Sequence, residues 1–321
     1  MSSYSNRKTV RDVYWNIRTD FMKIAQLLHN PGAGDEEHSR KDLMALIESE
    51  GFTCRYASTK KDDWKELKSD VDFLVVAGGD GTVRKVAKRL LTRKLIEKPL
   101  PVALLPSGTA NNIAGTLNIP TTDPRPVVQS WHTDRRKKFD VGLVEGLPKK
   151  QFFLEGIGYG VFPQLMKEMK DHPVNSSDSP EDKLRTALEI LSNIVQTYEV
   201  QSCRIEVDGV DYSGEYLLVE VMNIRSIGPN LVLAPAADPG DGLFEVVLVS
   251  ESQRDGLVTY VQNRLQGVEG DYWGTALKGK SIHMQWEDVE MHLDDQLIKS
   301  KKPRSLQMTL SEGLLSFLGA G

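Results

Sequence analysis

At 321 residues the chain has room for two domains of ordinary size, and 40% hydrophobic with 26% charged residues is the composition of a globular protein. No apolar run reaches the roughly 18 residues that a membrane span needs. A net charge of -5 weighs against nucleic-acid binding, and two distant cysteines, Cys54 and Cys203, lack the spacing of a disulfide framework or a zinc site.

The first 21 residues are charged throughout and have no apolar core, which excludes a secretory signal and predicts an N-terminal extension on a cytoplasmic protein. MKIAQLLHNP is an apolar run stopped by Asn30 and Pro31, and EHSRKDLMALIESEG follows with apolar residues at helical spacing and a glycine stop. FTCRYAS reads as a strand, VDFLVVAGG as a fully buried strand, TVRKVAKRLLTRK as an amphipathic helix, and LPVALLPSG as another buried strand before TANNIAGTL. Strands alternating with helices predict a three-layer α/β domain with a parallel sheet over 22–138. From Phe139 the texture changes. FDVGLVEG, QFFLEGIG, CRIEVDGVDYSGEYLLVEVMN, GLFEVVLVS, SIHMQWEDVEMHLDDQLI and SLQMTL read as strands, with helices only at VFPQLMKEMKD and PEDKLRTALEILSNIVQTY. The expectation for 139–321 is an antiparallel, sandwich-like β domain, its last strand returning to the first domain. HPVNSSDSP, between those two helices, reads as a mobile loop.

GGDGT falls at a strand end directly before a helix, where α/β sheets bind ligands. Gly78, Gly79 and Gly81 permit close backbone approach, and the helix opening at Thr82 turns N–H groups toward an anion. The next strand end repeats the design with Ser107, Gly108, Thr109 and Asn111, and the first strand ends in NPGAG. Three adjacent loops of this kind predict a nucleotide crevice. Asp80, an acid among phosphates, suits Mg²⁺ or the proton of an attacking hydroxyl. Gly274–Ser281, GTALKGKS, matches G-x-x-x-x-G-K-S, but a working P-loop needs a buried strand before it and a helix after it, and strand-like alternation follows here.

Asn30–Pro31, GGDGT, PSGTANNIA and NIRSIGPNLVLAPAADPGDGLFEVVLV together resemble the diacylglycerol kinase catalytic family, which includes soluble bacterial diacylglycerol kinases, YegS-like lipid kinases and sphingosine kinases. GGDGT alone is shared with NAD kinases; its combination with GTAN and PGDGL is specific. The resemblance runs from about Met22 onward and implies a lipid kinase using ATP and Mg²⁺ on a hydroxyl of diacylglycerol or a related lipid, peripherally bound at a membrane surface, with room for a homodimer. It implies phosphate contacts at Asn30 and Thr59, a nucleotide loop of Gly79, Asp80, Gly81 and Thr82, and a second of Gly108, Thr109 and Asn111. It also implies that Asp140 joins Asp80 in a water-and-magnesium network, that Asp241 with the backbone of Asp238 and Leu243 binds Mg²⁺, and that Asp294 is catalytic with Asp80. Two departures stand out: Asn112, where many members have an acid, and Gln296, where the late D-G-E motif has its glutamate. An NAD kinase-like or other small-molecule kinase, and a non-catalytic nucleotide- or lipid-binding regulator, stay open as alternatives.

Overall fold

The structure is a computed structural model that describes residues 22–32, 39–92, 99–171, 178–268, 270, 274, 276–286, 290–300 and 302–320. The N-terminal extension and most of the HPVNSSDSP loop lie outside the described residues.

In the first half β1 (Ile24–His29), β2 (Thr53–Ser58), β3 (Phe73–Gly78) and β4 (Val102–Pro106) form a parallel sheet in the order β4-β3-β1-β2. Every residue of β3 is buried, as an unbroken apolar run requires of a central strand covered on both faces. The helices are α1 (Arg40–Ser49), α2 (Asp80–Leu91), α3 (Asn112–Thr116) and α4 (Pro124–Ser130). α1 starts at Ser39, whose side chain accepts from the Asp42 amide, and buries Leu43 and Ile47. α2 buries Val83, Val86 and Ala87 at helical spacing. Because β3 runs straight into α2 and β4 leads to α3, the two glycine loops lie side by side at the carboxyl edge of neighbouring strands.

The second half contains β5 (Arg136–Glu145), β6 (Gln151–Phe153), β7 (Gly156–Gly160), β8 (Gln201–Val207), β9 (Val210–Asp211), β10 (Gly214–Met222), β11 (Ser226–Ile227), β12 (Leu231–Val232), β13 (Phe244–Ser250), β14 (Ala276–Gly279), β15 (Ser281–Trp286), β16 (Glu290–Leu293), β17 (Gln296–Lys299) and β18 (Arg304–Leu318). β10 is its hub, antiparallel to β7, β8 and β13. On one side of the strands α5 (Val161–Asp171), α6 (Pro180–Thr197) and α7 (Arg254–Leu265) close a core that includes Leu165, Leu191, Ile194, Leu217, Leu257 and Val261. A separate core with Phe153, Tyr159, Val219, Phe244 and Met284 fills the other side, giving the expected antiparallel, two-layered domain. Among the described residues, α7 is an α-helix of this half that the sequence reading missed. Leu257, Tyr260 and Val261 are its buried residues, but Gly256 in the first turn and short polar interruptions dilute the periodicity.

β18 ties the halves together. It runs antiparallel to β15 and β5, shifts register between Ser311 and Leu315, and brings Phe317 beside Val102 of β4 in parallel. Phe317 packs edge-on against Phe139, with ring centroids 5.0 Å apart.

Candidate active site

The two glycine loops are in contact. A Cβ on Gly79 would stand 2.9 Å from the Gly108 Cα, so only glycine allows the approach from either side. The Ser107 amide donates to the Gly78 carbonyl at 3.2 Å, and a Cβ on Gly78 would meet the Thr82 hydroxyl at 2.6 Å. Asn111, at φ +54°, closes its own loop: its Oδ1 accepts from the Gly108 amide at 2.9 Å and its Nδ2 donates to the Gly108 carbonyl at 2.8 Å. Asn30 donates to Thr82 Oγ1 at 3.2 Å, and the Thr59 hydroxyl donates to the His29 carbonyl at 3.3 Å. Asn30, Thr59, Gly79, Gly81, Thr82, Gly108 and Thr109 line one cavity of about 430 Å³, and Lys60, Lys85 and Lys183 line it too. Lys85 is held by the Thr59 carbonyl, and Lys183 arrives from α6, so both halves contribute. A cavity of about 750 Å³ adjoins it, walled by Leu43, Tyr56, Leu105, Thr109, Pro120 and Leu184.

Asp80 does not line the phosphate-sized cavity. Its carboxylate turns back and accepts from the Asn112 and Ile113 amides at 2.9 and 3.0 Å, fastening the start of α3 to the first loop. Around it lie three more acids. Asp294 is enclosed at φ +50°, where its Oδ1 accepts from the amides of Leu154, Glu155 and Gly156 at 3.0, 2.8 and 3.3 Å and its Oδ2 accepts from Arg84 Nε at 2.7 Å. With both oxygens engaged and its side chain sealed from solvent, Asp294 has the geometry of a positioning residue, where the sequence led us to expect a catalytic one. Its neighbour Asp295 instead points at the first loop, with Oδ2 2.5 Å from where a Gly81 Cβ would lie. Gln296, the departure from D-G-E, is an exposed residue opening β17. Behind the turn, His292 Nε2 meets Glu220 Oε1 at 2.5 Å and its Nδ1 lies 3.1 Å from the Asp294 carbonyl, a second buried pair bracing the same turn. Sequence reasoning missed Arg84, Glu155, Asp295 and Lys183; a lone acid inside an apolar run was the available signal for Glu155.

Burial pushes the Asp80 carboxyl up to about 6, opposed by the Ile113 and Asn112 amides and reinforced by the charges of Asp294 and Asp295. Glu155 is driven well above the usual carboxylate range by burial, then by Asp80, Asp294 and Asp295. Asp294 is raised by burial despite Arg84 and its amides. Each of these acids binds its proton more tightly in the folded chain than in the unfolded one. Their stabilising contribution is therefore present below the ordinary carboxylate value of about 4 and lost as pH rises through the folded value, about 6 for Asp80. Asp62, Asp70 and Glu251 are held low by surface partners and act in the opposite sense, but they are exposed and solvent screens them. The melting temperature is expected to fall between about pH 4.5 and about pH 7. A rise over that interval in a thermal melt contradicts the reading.

Asp140 is engaged away from the first glycine loop. Its carboxylate accepts from the Gly242 amide at 2.9 Å and the Gly313 amide at 2.7 Å, pinning the PGDG turn to the register shift in β18. The Asp238–Leu243 loop does not fit a divalent cation. Lys137 Nζ meets the Asp238 carboxylate at 2.5 Å, Lys278 Nζ meets Asp241 at 3.2 Å, and the Leu243 amide donates to Asp241 at 3.0 Å, so ammonium groups already neutralise both acids. Among the described residues no three His, Cys, Asp or Glu side chains converge to hold a metal ion.

The P-loop match dissolves on inspection of its described residues. Ala276–Gly279 and Ser281–Trp286 are strands, and the Lys280 and Ser281 amides donate to the Asp208 carboxylate at 3.0 and 2.8 Å at the corner between them. Lys280→Ala is expected to leave ATP affinity unchanged by calorimetry; a large loss would restore the P-loop.

A family model described as the diacylglycerol kinase catalytic domain matches residues 25–144, and one described as the YegS C-terminal NAD kinase beta sandwich-like domain matches residues 167–298. The chain is 26% identical over 265 residues to a diacylglycerol kinase of Bacillus subtilis (strain 168), covering 78% of this chain and 80% of that one. It is 23% identical over 265 residues to a diacylglycerol kinase of Mycobacterium tuberculosis (strain CDC 1551 / Oshkosh), covering 80% and 79%. Two solved structures from Bacillus anthracis str. Sterne share its fold with TM-scores of 0.72 and 0.68 at 24% identity, covering 94% of this chain and 97% and 98% of theirs.

Proposed function

The chain belongs to the diacylglycerol kinase and YegS-like family of lipid kinases, and from that premise we propose that it transfers the γ-phosphoryl group of ATP, with Mg²⁺, to a hydroxyl of diacylglycerol or a close lipid relative. It is a phosphotransferase with an alcohol as acceptor. The observation that supports the finer reading is the pair of touching glycine loops beside a cavity with three lysines, open to a larger, partly apolar cavity of nucleoside size. Backbone amides and lysines suit the triphosphate, and the larger cavity suits the base and ribose.

Phosphoryl transfer is mostly positioning and charge neutralisation. Lys60, Lys85 and Lys183, which line the cavity, would neutralise the phosphates, and Gly79–Gly108 contact fixes the two loops at a set distance. Arg84 and Asp294 hold the 154–156 strand end and the 294–295 turn against α2. Mg²⁺, a hard cation that takes oxygen ligands, would supply further neutralisation of the transferring group. Asp295, whose carboxylate faces Gly81 at the cavity, fits it and is the residue that would hold it.

The test is transfer from labelled ATP to a panel of diacylglycerol, a sphingoid base, ceramide, a polyprenol and NAD⁺, with and without Mg²⁺. Label in a lipid supports the reading, label in NAD⁺ alone moves the chain to a nucleotide kinase, and ATP binding without transfer to any acceptor makes it a regulator.

A lipid acceptor requires a membrane, and no described helix is long and apolar enough to cross one. Peripheral, partly electrostatic binding to that membrane is part of this proposal. In the Arg135–Lys138 stretch, Arg136 pairs with Asp134 and Lys137 with Asp238, while Lys299 pairs with Glu290. The protein is expected to co-sediment more with anionic than with neutral vesicles, and less as salt rises. Equal partition into both contradicts the electrostatic account.

A further inference from the structure

The run GIGYG makes β7 a strand with glycine at Gly156 and Gly158, so one of its faces is bare there. Gly158 pairs with Glu220 of β10 on one side and with His292 of β16 on the other. The bare middle strand lets the two outer side chains meet across it. His292 Nε2 lies 2.5 Å from Glu220 Oε1, and a Cβ on Gly158 would collide with that same oxygen. His292 is 1% exposed and Glu220 is fully buried. Apolar residues of similar volume often stabilise a core as well as such a pair does, so its worth lies in what else it holds in place.

What it holds is a peptide plane. The other ring nitrogen of His292, Nδ1, lies 3.1 Å from the Asp294 carbonyl oxygen. A carbonyl only accepts, so Nδ1 carries a hydrogen, whether the proton between Nε2 and Glu220 sits on the ring or on the acid. Leu293 pairs with Gln296, which leaves Asp294 and Asp295 as a two-residue turn. Asp294 stands at φ +50°, a conformation that residues with a Cβ rarely adopt, and it is held there from three sides. Its carboxylate gathers the 154–156 amides, its own amide donates to the Gly156 carbonyl at 2.8 Å, and its carbonyl takes the His292 hydrogen. The last of these acts on the peptide that joins Asp294 to Asp295. That unit is planar, so fixing its oxygen fixes the direction in which the Asp295 backbone sets out. Asp295 is itself exposed at the tip of the turn, yet it lines the cavity of about 430 Å³, with Oδ2 2.5 Å from where a Gly81 Cβ would lie.

We propose that His292 is a positioning residue of the phosphate cavity: through the Asp294 carbonyl it keeps the Asp295 carboxylate turned toward the cavity, where that carboxylate would hold Mg²⁺, and Glu220 keeps the ring at the angle this needs. This rests on the kinase reading above. His292 itself touches neither nucleotide nor ion.

The experiment separates the two ring nitrogens. Asparagine places an amide nitrogen near the position of Nδ1 and keeps the bond to Asp294, whereas glutamine places one near Nε2 and keeps only the contact with Glu220. ADP binding to the full chain is measured by calorimetry with and without Mg²⁺, for wild type, H292N, H292Q, D295N and H292Q/D295N, beside a thermal melt of each. The readout is the gain in affinity that Mg²⁺ brings. H292Q is expected to lose about tenfold or more of that gain, the usual worth of a residue that orients a metal ligand, with ADP affinity in the absence of Mg²⁺ unchanged. H292N is expected to keep the gain to within about threefold, although it too loses a buried partner and melts below wild type. D295N loses the gain, and H292Q/D295N is expected to match D295N to within about twofold, because both changes act on the same carboxylate. H292Q/E220Q, with neutral amides at both buried positions, takes the place of H292Q if that variant does not fold. A glutamine variant with the wild-type gain overturns the proposal and leaves the kinase reading standing. So does H292N as impaired as H292Q, because the histidine would then only support the fold, and so does D295N with the wild-type gain, which takes Asp295 away from the ion. Wild type that binds no ADP is a different failure: the kinase reading falls, and the role of His292 falls with it.

Discussion

Asp80→Asn is expected to abolish phosphoryl transfer while lowering the melting temperature by only a few degrees. The two carboxylate oxygens accept from the Asn112 and Ile113 amides, and an asparagine can accept from only one, turning an NH₂ toward the other. Losing half of such a cap costs about 1 kcal/mol. The chemistry depends on it far more, because this link sets the start of α3, and with it Asn112, against the first glycine loop. A loss beyond about 10³-fold in turnover is expected, read beside a thermal melt. Wild-type turnover in this variant removes the GGDGT loop from the mechanism.

Asp294→Asn inverts that pattern, because stability suffers first. Arg84 is 5% exposed and the Asp294 side chain is sealed, so neutralising the acid leaves a buried guanidinium without its partner, at a cost of about 3–5 kcal/mol. Transfer is nearly lost as well, since the amides of 154–156 lose the anion that gathers them. The double variant Arg84→Met with Asp294→Leu is expected to regain stability in a denaturant titration and to stay inactive, because apolar replacement removes the unpaired charge without restoring the anchor. An Asp294→Asn protein with wild-type denaturation midpoint and turnover shows that the late motif is only a hairpin turn.

Features set by neighbours in sequence were legible. The parallel sheet followed from apolar runs alternating with amphipathic helices, and the glycine loops from their places at strand ends. Roles set across the fold were not. Asp80 reads as a group facing phosphate, yet the amides that turn it away belong to residues 32 and 33 positions on. Asp294 reads as a free catalytic acid because its partner Arg84 lies 210 residues earlier. The Asp238–Leu243 loop resembles a cation site, and only folding brings Lys137 and Lys278 to it. Glu155 left a trace, a single acid in FFLEGIG, but a charge in an apolar run can be an anchor, a surface residue or a reactive group until its surroundings are assembled.

The path of β18 bears on how the chain is made. Emerging from the ribosome, the first half can pair β1 to β4 at once, since those strands are close in sequence. The strand that covers β4 is synthesised after all the other described strands, so until then β4 presents unpaired backbone groups, the template on which strands of other chains add. The half that carries the two glycine loops is thus the first to begin folding and among the last to finish, and its vulnerable interval lasts as long as translation of the β domain.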